Sequence, residues 1–289
     1  MAAVVEESGL VIRCEARGFR FDVHGDVELR AVLAELFAAL QRSGGRASAI
    51  FSLAREAGEG SPWHVRMDGK LMMGSGRLGE ALHGLIVHIN QRVLSASDNL
   101  LCIHAAAVAT PEGAVLLPGG SGSGKTTLCA RLLQHGAGYL SDDSVALEHS
   151  QRVLGYPKPL GFKGGTWEQF ADPDLGDLNF DQGRQDVWQI PPNRLGGSIV
   201  TSADPVAVVL PRFESGAELR LVPITPRAAA TALVEQTQNL LSFGVPRALE
   251  IIGGLAARAA CYAVVYGDAR EAAPPVLDLI RLPLGAPAS

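Results

Sequence analysis

The sequence predicts an α/β protein: a larger domain over residues 96–289, preceded by a smaller α+β region over residues 1–95. Three observations lead there. Strand-like and helix-like segments alternate along the chain. An apolar stretch at 114–117 runs into a glycine-rich loop, and a helical pattern follows at once. With 289 residues, 47% hydrophobic and 19% charged, the chain has the make-up of a folded protein and room for two domains.

In chain order, alternation of Leu10 and Ile12, then Phe19, Phe21 and Val23, predicts a hairpin. Leu29, Val32, Leu33, Leu36, Phe37 and Leu40 share one helical face and predict a helix over 27–41. Strands are predicted at 48–53, 63–67 and 70–73, the last two joined by a tight turn at Asp68-Gly69. A second helix covers 78–94, with Leu78, Leu82, Leu85, Ile86, Ile89 and Val93 on its apolar face. Further on, strands are expected at 103–109, 114–117, 139–140, 206–211, 218–223 and 262–266. Helices are expected at 126–134, 226–241 and 247–260. Residues 155–200 show little periodicity and predict long loops.

Bulk properties exclude some classes. The net charge of −5 and the lack of a Lys/Arg run argue against nonspecific nucleic-acid binding. The start Met1-Ala2-Ala3-Val4-Val5-Glu6-Glu7 has no basic region followed by an apolar core, so no secretory signal is expected. No apolar run reaches the ~18 residues of a membrane span. Cys14, Cys102, Cys129 and Cys261 are far apart and form no CxxC pair, which fits free thiols. The expectation is a cytoplasmic protein with neither membrane nor nucleic acid as partner.

The strongest motif is Gly119-Gly120-Ser121-Gly122-Ser123-Gly124-Lys125-Thr126, a complete GxxxxGK[ST]. Its glycines let backbone N–H groups wrap a phosphate, and the helix that follows adds its positive end. Lys125 can reach the β and γ phosphates, the Thr126 hydroxyl can ligate Mg2+, and Thr127 continues the cradle. The expected ligands are therefore ATP, or another nucleoside triphosphate, and Mg2+. A transporter ATPase would need an LSGGQ-type signature and a distal Asp-Glu strand end, and a small G protein would need NKxD. The sequence has none of these.

Asp142-Asp143 comes one helix and one short strand after Lys125. That spacing predicts an acidic pair at the end of a strand neighbouring the loop strand, facing the γ-phosphate. One carboxylate can accept a proton from an incoming hydroxyl while the other helps hold Mg2+. Asp142, first off the strand, is the preferred base and Asp143 the preferred metal-side acid. A solvated turn is the plain alternative. His104, just before the strand at 105–109, is either a structural residue or part of the same site. Between 155 and 195 lie Lys158, Lys163, Arg184 and Arg194, with Trp167 and Trp188. Lys158 and Lys163 are the candidates to neutralise charge in transfer, and Arg212 is a weaker one.

His104-Ala105-Ala106-Ala107-Val108, the loop, and Tyr139-Leu140-Ser141-Asp142-Asp143-Ser144 together resemble the HPr kinase/phosphorylase catalytic domain. They are closer still to related HPr-kinase-like kinases that occur with biosynthesis of ribosomally made peptides, lasso peptides among them. The resemblance covers residues 95–150 firmly and loosely extends to about 270. It implies a P-loop kinase domain related in fold to phosphoenolpyruvate carboxykinase. The implied reaction moves a nucleotide γ-phosphate to a serine hydroxyl of a peptide or protein, and a homo-oligomer is usual in such kinases. By the match, Lys125 and Thr126 are the phosphate and Mg2+ residues, Asp142 or Asp143 the base, and His104 a histidine near the phosphates. The family's downstream Glu-Ile-Arg-Gly signature has no counterpart here, which weighs against phosphorolysis and against HPr as acceptor. The first 95 residues do not look like the HPr kinase N-terminal domain, and by position they suit a recognition module. A small-molecule kinase, or a nucleotide-binding regulator that phosphorylates nothing, would use the same motifs.

Overall fold

Alternating burial builds the first sheet. In β1 (Leu10–Ala16) and β2 (Phe19–Gly25) every second side chain is buried, and Arg17 and Gly18, both at positive φ, turn the hairpin. The computed structural model describes residues 10–55, 60–163, 166, 169–170 and 188–281; Trp167 and Arg184 lie outside them. The helix predicted at 27–41 is shorter. α1 (Arg30–Leu36) is flanked by 3-10 turns at Val27–Leu29 and Ala38–Leu40. The apolar face survives the break: Leu29, Leu33, Leu36, Phe37 and Leu40 are all buried.

β3 (Ala49–Arg55) runs parallel to β2, and β4 (Trp63–Met67) and β5 (Lys70–Ser75) extend the sheet antiparallel in the order β1-β2-β3-β4-β5. The β4–β5 turn is the expected Asp68-Gly69, both at positive φ. α2 (Leu78–Ser95) lays Leu82, Leu85, Ile86, Ile89 and Val93 against this sheet, over Phe51, Leu53 and Val65.

The continuous strand expected at 103–109 is split at His104. β6 (Leu101–Ile103) joins one sheet and β7 (Ala105–Thr110) another. β8 (Gly113–Pro118), α3 (Lys125–Gln134) and β9 (Gly138–Ser141) follow. Then come the short β10 (Val145–Leu147), β11 (Val153–Leu154), β12 (Leu160–Phe162), β13 (Trp188–Ile190) and β14 (Ser202–Ala203). The chain ends with β15 (Pro205–Phe213), β16 (Arg220–Pro223), α4 (Pro226–Glu235), α5 (Leu240–Phe243), α6 (Val245–Arg258), β17 (Ala260–Tyr266) and α7 (Ala269–Arg281).

The central sheet has the order β16-β17-β15-β8-β7-β9. β8, β15 and β17 are parallel, and β7 is antiparallel to both β8 and β9. Ala114 and Leu116 of β8 join α4 and α6 in one core, with Ala105, Ala107 and Val208. Their buried neighbours Val115 and Leu117 face the other way by strand alternation. α3 and α7 pack together and on β7, β8 and β15. The second sheet is β14-β11-β10-β6.

The chain divides into two compact units, Met1–Ala96 with Gly161–Pro191, and Ser97–Leu160 with Pro192–Ser289. β12 and β13 pair with each other, and β13 packs on α2, where the Gln189 amide donates to His83 Nδ1 at 3.2 Å. Among the described residues no helix is long and apolar enough to cross a membrane.

Two further expectations are corrected. β9 does not neighbour β8, because β7 lies between them. The helix expected over 226–241 stops at Glu235, where the backbone turns to pair with β6 and the residue after it: His104 N–H donates to the Gln236 carbonyl and Gln238 N–H to that of Cys102. α7 was not foreseen. It holds Pro274 and Pro275, which read as helix breakers, but it buries Ala272, Ala273, Val276 and Leu277.

Candidate functional site

The glycine-rich loop joins β8 to α3, and its shape depends on missing side chains. Gly122 and Gly124 sit at φ +85° and +90°. A Cβ at Gly124 would overlap the Tyr266 hydroxyl, which donates to the Gly124 carbonyl at 3.0 Å. A Cβ at Gly119 would meet the Ser123 hydroxyl at 2.7 Å. That hydroxyl is buried and has no hydrogen-bond partner among the described residues, whereas buried polar groups ordinarily have one. Gly120 and Ser121 are exposed at the tip.

The intervening strand β7 explains how distant parts of the sequence meet. Being antiparallel to β8 and β9, it begins where they end: Ala105 pairs with Pro118, and Ala107 with Ser141. His104, the residue before β7, therefore stands between the loop and the acidic pair. Its Nδ1–H donates to the Asp143 carbonyl at 3.1 Å, and its Nε2 accepts from Lys125 Nζ at 3.2 Å. Lys125 also donates to the Gly120 carbonyl at 2.9 Å. Burial, then the Lys125 charge, lowers the His104 pKa, so the ring stays neutral in the tautomer its partners require.

The two acids, one residue apart, have different surroundings. Asp142 is fully buried, and both its carboxylate oxygens accept from the Thr126 hydroxyl at 3.2 Å. Burial, then repulsion from Asp143, pushes its carboxyl up to about 7. Asp143 sits at φ +66°, a conformation Asp tolerates better than most residues, and its carboxylate is 46% exposed. The Lys158 ammonium stands 3.6 Å from it. Partial burial opposes ionisation of Asp143, but the ammonium charges of Lys158 and then Lys125 outweigh it and hold its pKa low. Lys158 is itself 3% exposed; it also donates to the Pro159 carbonyl, while Tyr139 donates to the Lys158 carbonyl.

Of the residues singled out in the sequence, Lys125, Thr126, His104, Asp142, Asp143 and Lys158 form one contiguous cluster. Lys163 belongs to the other unit, and Arg212 pairs with Glu214 at the end of β15. Residues that brace the cluster were not foreseen. Ser144 donates to Gln238, the Asn239 carboxamide bridges Leu100 and Cys102 just ahead of His104, and Tyr266 ties down Gly124. Only their meeting in space gives them this job.

Chemically, the loop offers an anion a buried ammonium, an unpartnered hydroxyl and a helix N-terminus. Thr126 and Asp142 are hard oxygen donors of the kind Mg2+ takes, and a cation would suit a carboxylate that burial resists ionising. Among the described residues no group of three or more His, Cys, Asp and Glu side chains is placed to hold a metal. Mg2+ needs no such group when substrate phosphates complete its shell. No protein-family model matches the chain, and no curated protein matches it.

Proposed function

We propose that the chain is a Mg2+-dependent kinase of the HPr-kinase-like type, moving the γ-phosphoryl group of ATP or another nucleoside triphosphate to a serine-type hydroxyl of a peptide or protein. The observation that carries this reading is the separation of the two acids. One is buried against the loop threonine, and the other is half-exposed, ionised and beside a lysine. A protein that only holds nucleotide has use for the first acid; transfer to a hydroxyl has use for both.

In this reading the phosphates lie along residues 119–126, and Lys125 exchanges its bonds to Gly120 and His104 for phosphate oxygens. Thr126 and Asp142 would hold Mg2+, which neutralises phosphate charge when bound. The acceptor hydroxyl attacks the γ phosphorus, the bond to the β–γ bridging oxygen breaks, and the nucleoside diphosphate leaves with that electron pair. The hydroxyl proton goes to the Asp143 carboxylate. This reverses the roles preferred from the sequence, because the Thr126 hydroxyl faces Asp142 and not Asp143. Lys158 keeps Asp143 ionised and adds positive charge beside the transferring group. His104 is a positioning residue between Lys125 and the Asp143 backbone.

The test is transfer of labelled γ-phosphate to serine-bearing peptides by the wild type and by Lys125→Ala. The variant should lose ~10²–10³ in single-turnover rate or more, since the lysine charge acts where charge develops. A variant retaining more than about a tenth of the rate would remove the loop from the chemistry.

A further inference from the structure

His104 and Asp143, assigned to the γ-phosphoryl end, lie on one side of β8, just before β7 and just after β9. On its other side stand β15 and β17, parallel to β8, so their C-terminal ends reach the same edge of the sheet as the loop. Ligands of open α/β sheets sit at that edge. Each of these strands ends in an aromatic residue, Phe213 on β15 and Tyr266 on β17.

Both aromatics are fastened to the loop. The Phe213 N–H donates to the Ser123 carbonyl at 3.1 Å, and the Tyr266 hydroxyl bonds the Gly124 carbonyl. A Cβ at Gly124 would lie 3.1 Å from that of Phe213. The two rings meet edge to face, 6.0 Å between centroids at 60°, a favoured geometry. Their exposures differ sharply: Tyr266 is 1% exposed and Phe213 47%. A buried phenol, tied to the loop, thus holds a second ring open to solvent beside the loop's last glycine.

We propose that Phe213 is the platform on which the base of the nucleotide stacks, with Tyr266 as its positioning residue. The proposal rests on reading the loop as a nucleoside triphosphate site. A triphosphate whose γ end points to His104 and Asp143 must leave the loop on the β15 side, where Phe213 waits. Every base has a π face, so the platform accepts ATP and GTP alike and favours the larger purines over pyrimidines.

The experiment titrates the full chain with Mg2+–ATP, Mg2+–GTP and Mg2+–tripolyphosphate. Phe213→Ala should weaken both nucleotides roughly ten- to a hundredfold and leave tripolyphosphate within about twofold, since the loop keeps its phosphate groups. Phe213→Trp should keep nucleotide affinity, and its added emission should be quenched by ATP but not by tripolyphosphate. Half-exposed as Phe213 is, both variants should fold, with melting temperatures close to that of the wild type. Unchanged nucleotide affinity in Phe213→Ala would overturn the proposal, as would an equal loss for tripolyphosphate, which makes the ring only a support for the loop. A wild type that binds neither nucleotide nor tripolyphosphate overturns the phosphate site itself, a separate outcome.

Discussion

Asp143 takes a positive φ that turns its carboxylate out toward Lys158, while Asp142 beside it points inward to Thr126. The surroundings push the two carboxyls in opposite directions, Asp142 up and Asp143 down, so adjacent residues of one type are chemically different groups. The adjacent aspartates themselves are plain in the sequence. Which one turns inward is not, because it depends on the register shift where β9 pairs with β7. Buried groups outside the site obey the same physics. Cys14 is fully buried in the first unit, and burial, then the Asp22 charge, pushes its thiol up to about 12 against a smaller opposing effect of Arg42. The folded state therefore keeps this proton where the unfolded chain loses it, above about pH 8.5. Its contribution is complete below that pH and declines as pH rises toward 12, by at most about 1.4 kcal/mol per unit. Urea midpoints of the wild type and Cys14→Ala between pH 8 and 10.5 should show the wild type falling more steeply; parallel curves would contradict this.

At the scale of elements, the loop and α3 are contiguous in the chain, and local rules suffice to read them. Pairing of β7 is different. Ala105-Ala106-Ala107-Val108-Ala109 is buried on both faces, so no alternation says which strands flank it, and its insertion between β8 and β9 is decided by the whole sheet. The helical reading of 236–239 fails for a like reason. The segment itself, Gln236-Thr237-Gln238-Asn239, is polar throughout, and its backbone pairs with β6 and His104, bonds that outweigh helix propensity. The loop's dependence on β17 gives a test. Gly124→Ala places a Cβ at φ +90° against the Tyr266 hydroxyl. Left-handed strain alone costs about 1–2 kcal/mol. Denaturant melts should show at least that loss, and Tyr266→Phe in the same chain should recover part of it. An equally stable Gly124→Ala would mean the loop does not need this shape.

For the whole molecule, the nucleotide reading ties together parts of the chain that are far apart: residues 104, 119–126, 142–143, 158, 213 and 266 meet in one unit. Short-range motifs reveal the middle of that set. The outer members carry no motif, because a lone lysine or aromatic acquires its job only through the strand order β17-β15-β8-β7-β9. Residues 155–200 read from sequence as loops of the larger domain, yet Gly161–Pro191 groups with the first unit. The pair β12 and β13 and the packing of β13 on α2 are long-range choices as well. Binding that draws on so many elements should stabilise the fold. At about 100 times its dissociation constant, a ligand adds ~2.7 kcal/mol, and EDTA should remove most of the gain from a Mg2+-nucleotide.

The central claim, that the two acids do different work, is tested most directly by measuring Mg2+–nucleotide affinity beside single-turnover transfer in Asp142→Asn and Asp143→Asn. Asp143→Asn should bind Mg2+–nucleotide close to wild type while transfer falls by ~10²–10⁴, because only the proton acceptor is lost. Asp142→Asn should lose affinity together with rate and become indifferent to EDTA. Both variants transferring at wild-type rates would contradict the account and leave a nucleotide-binding regulator in place of a kinase.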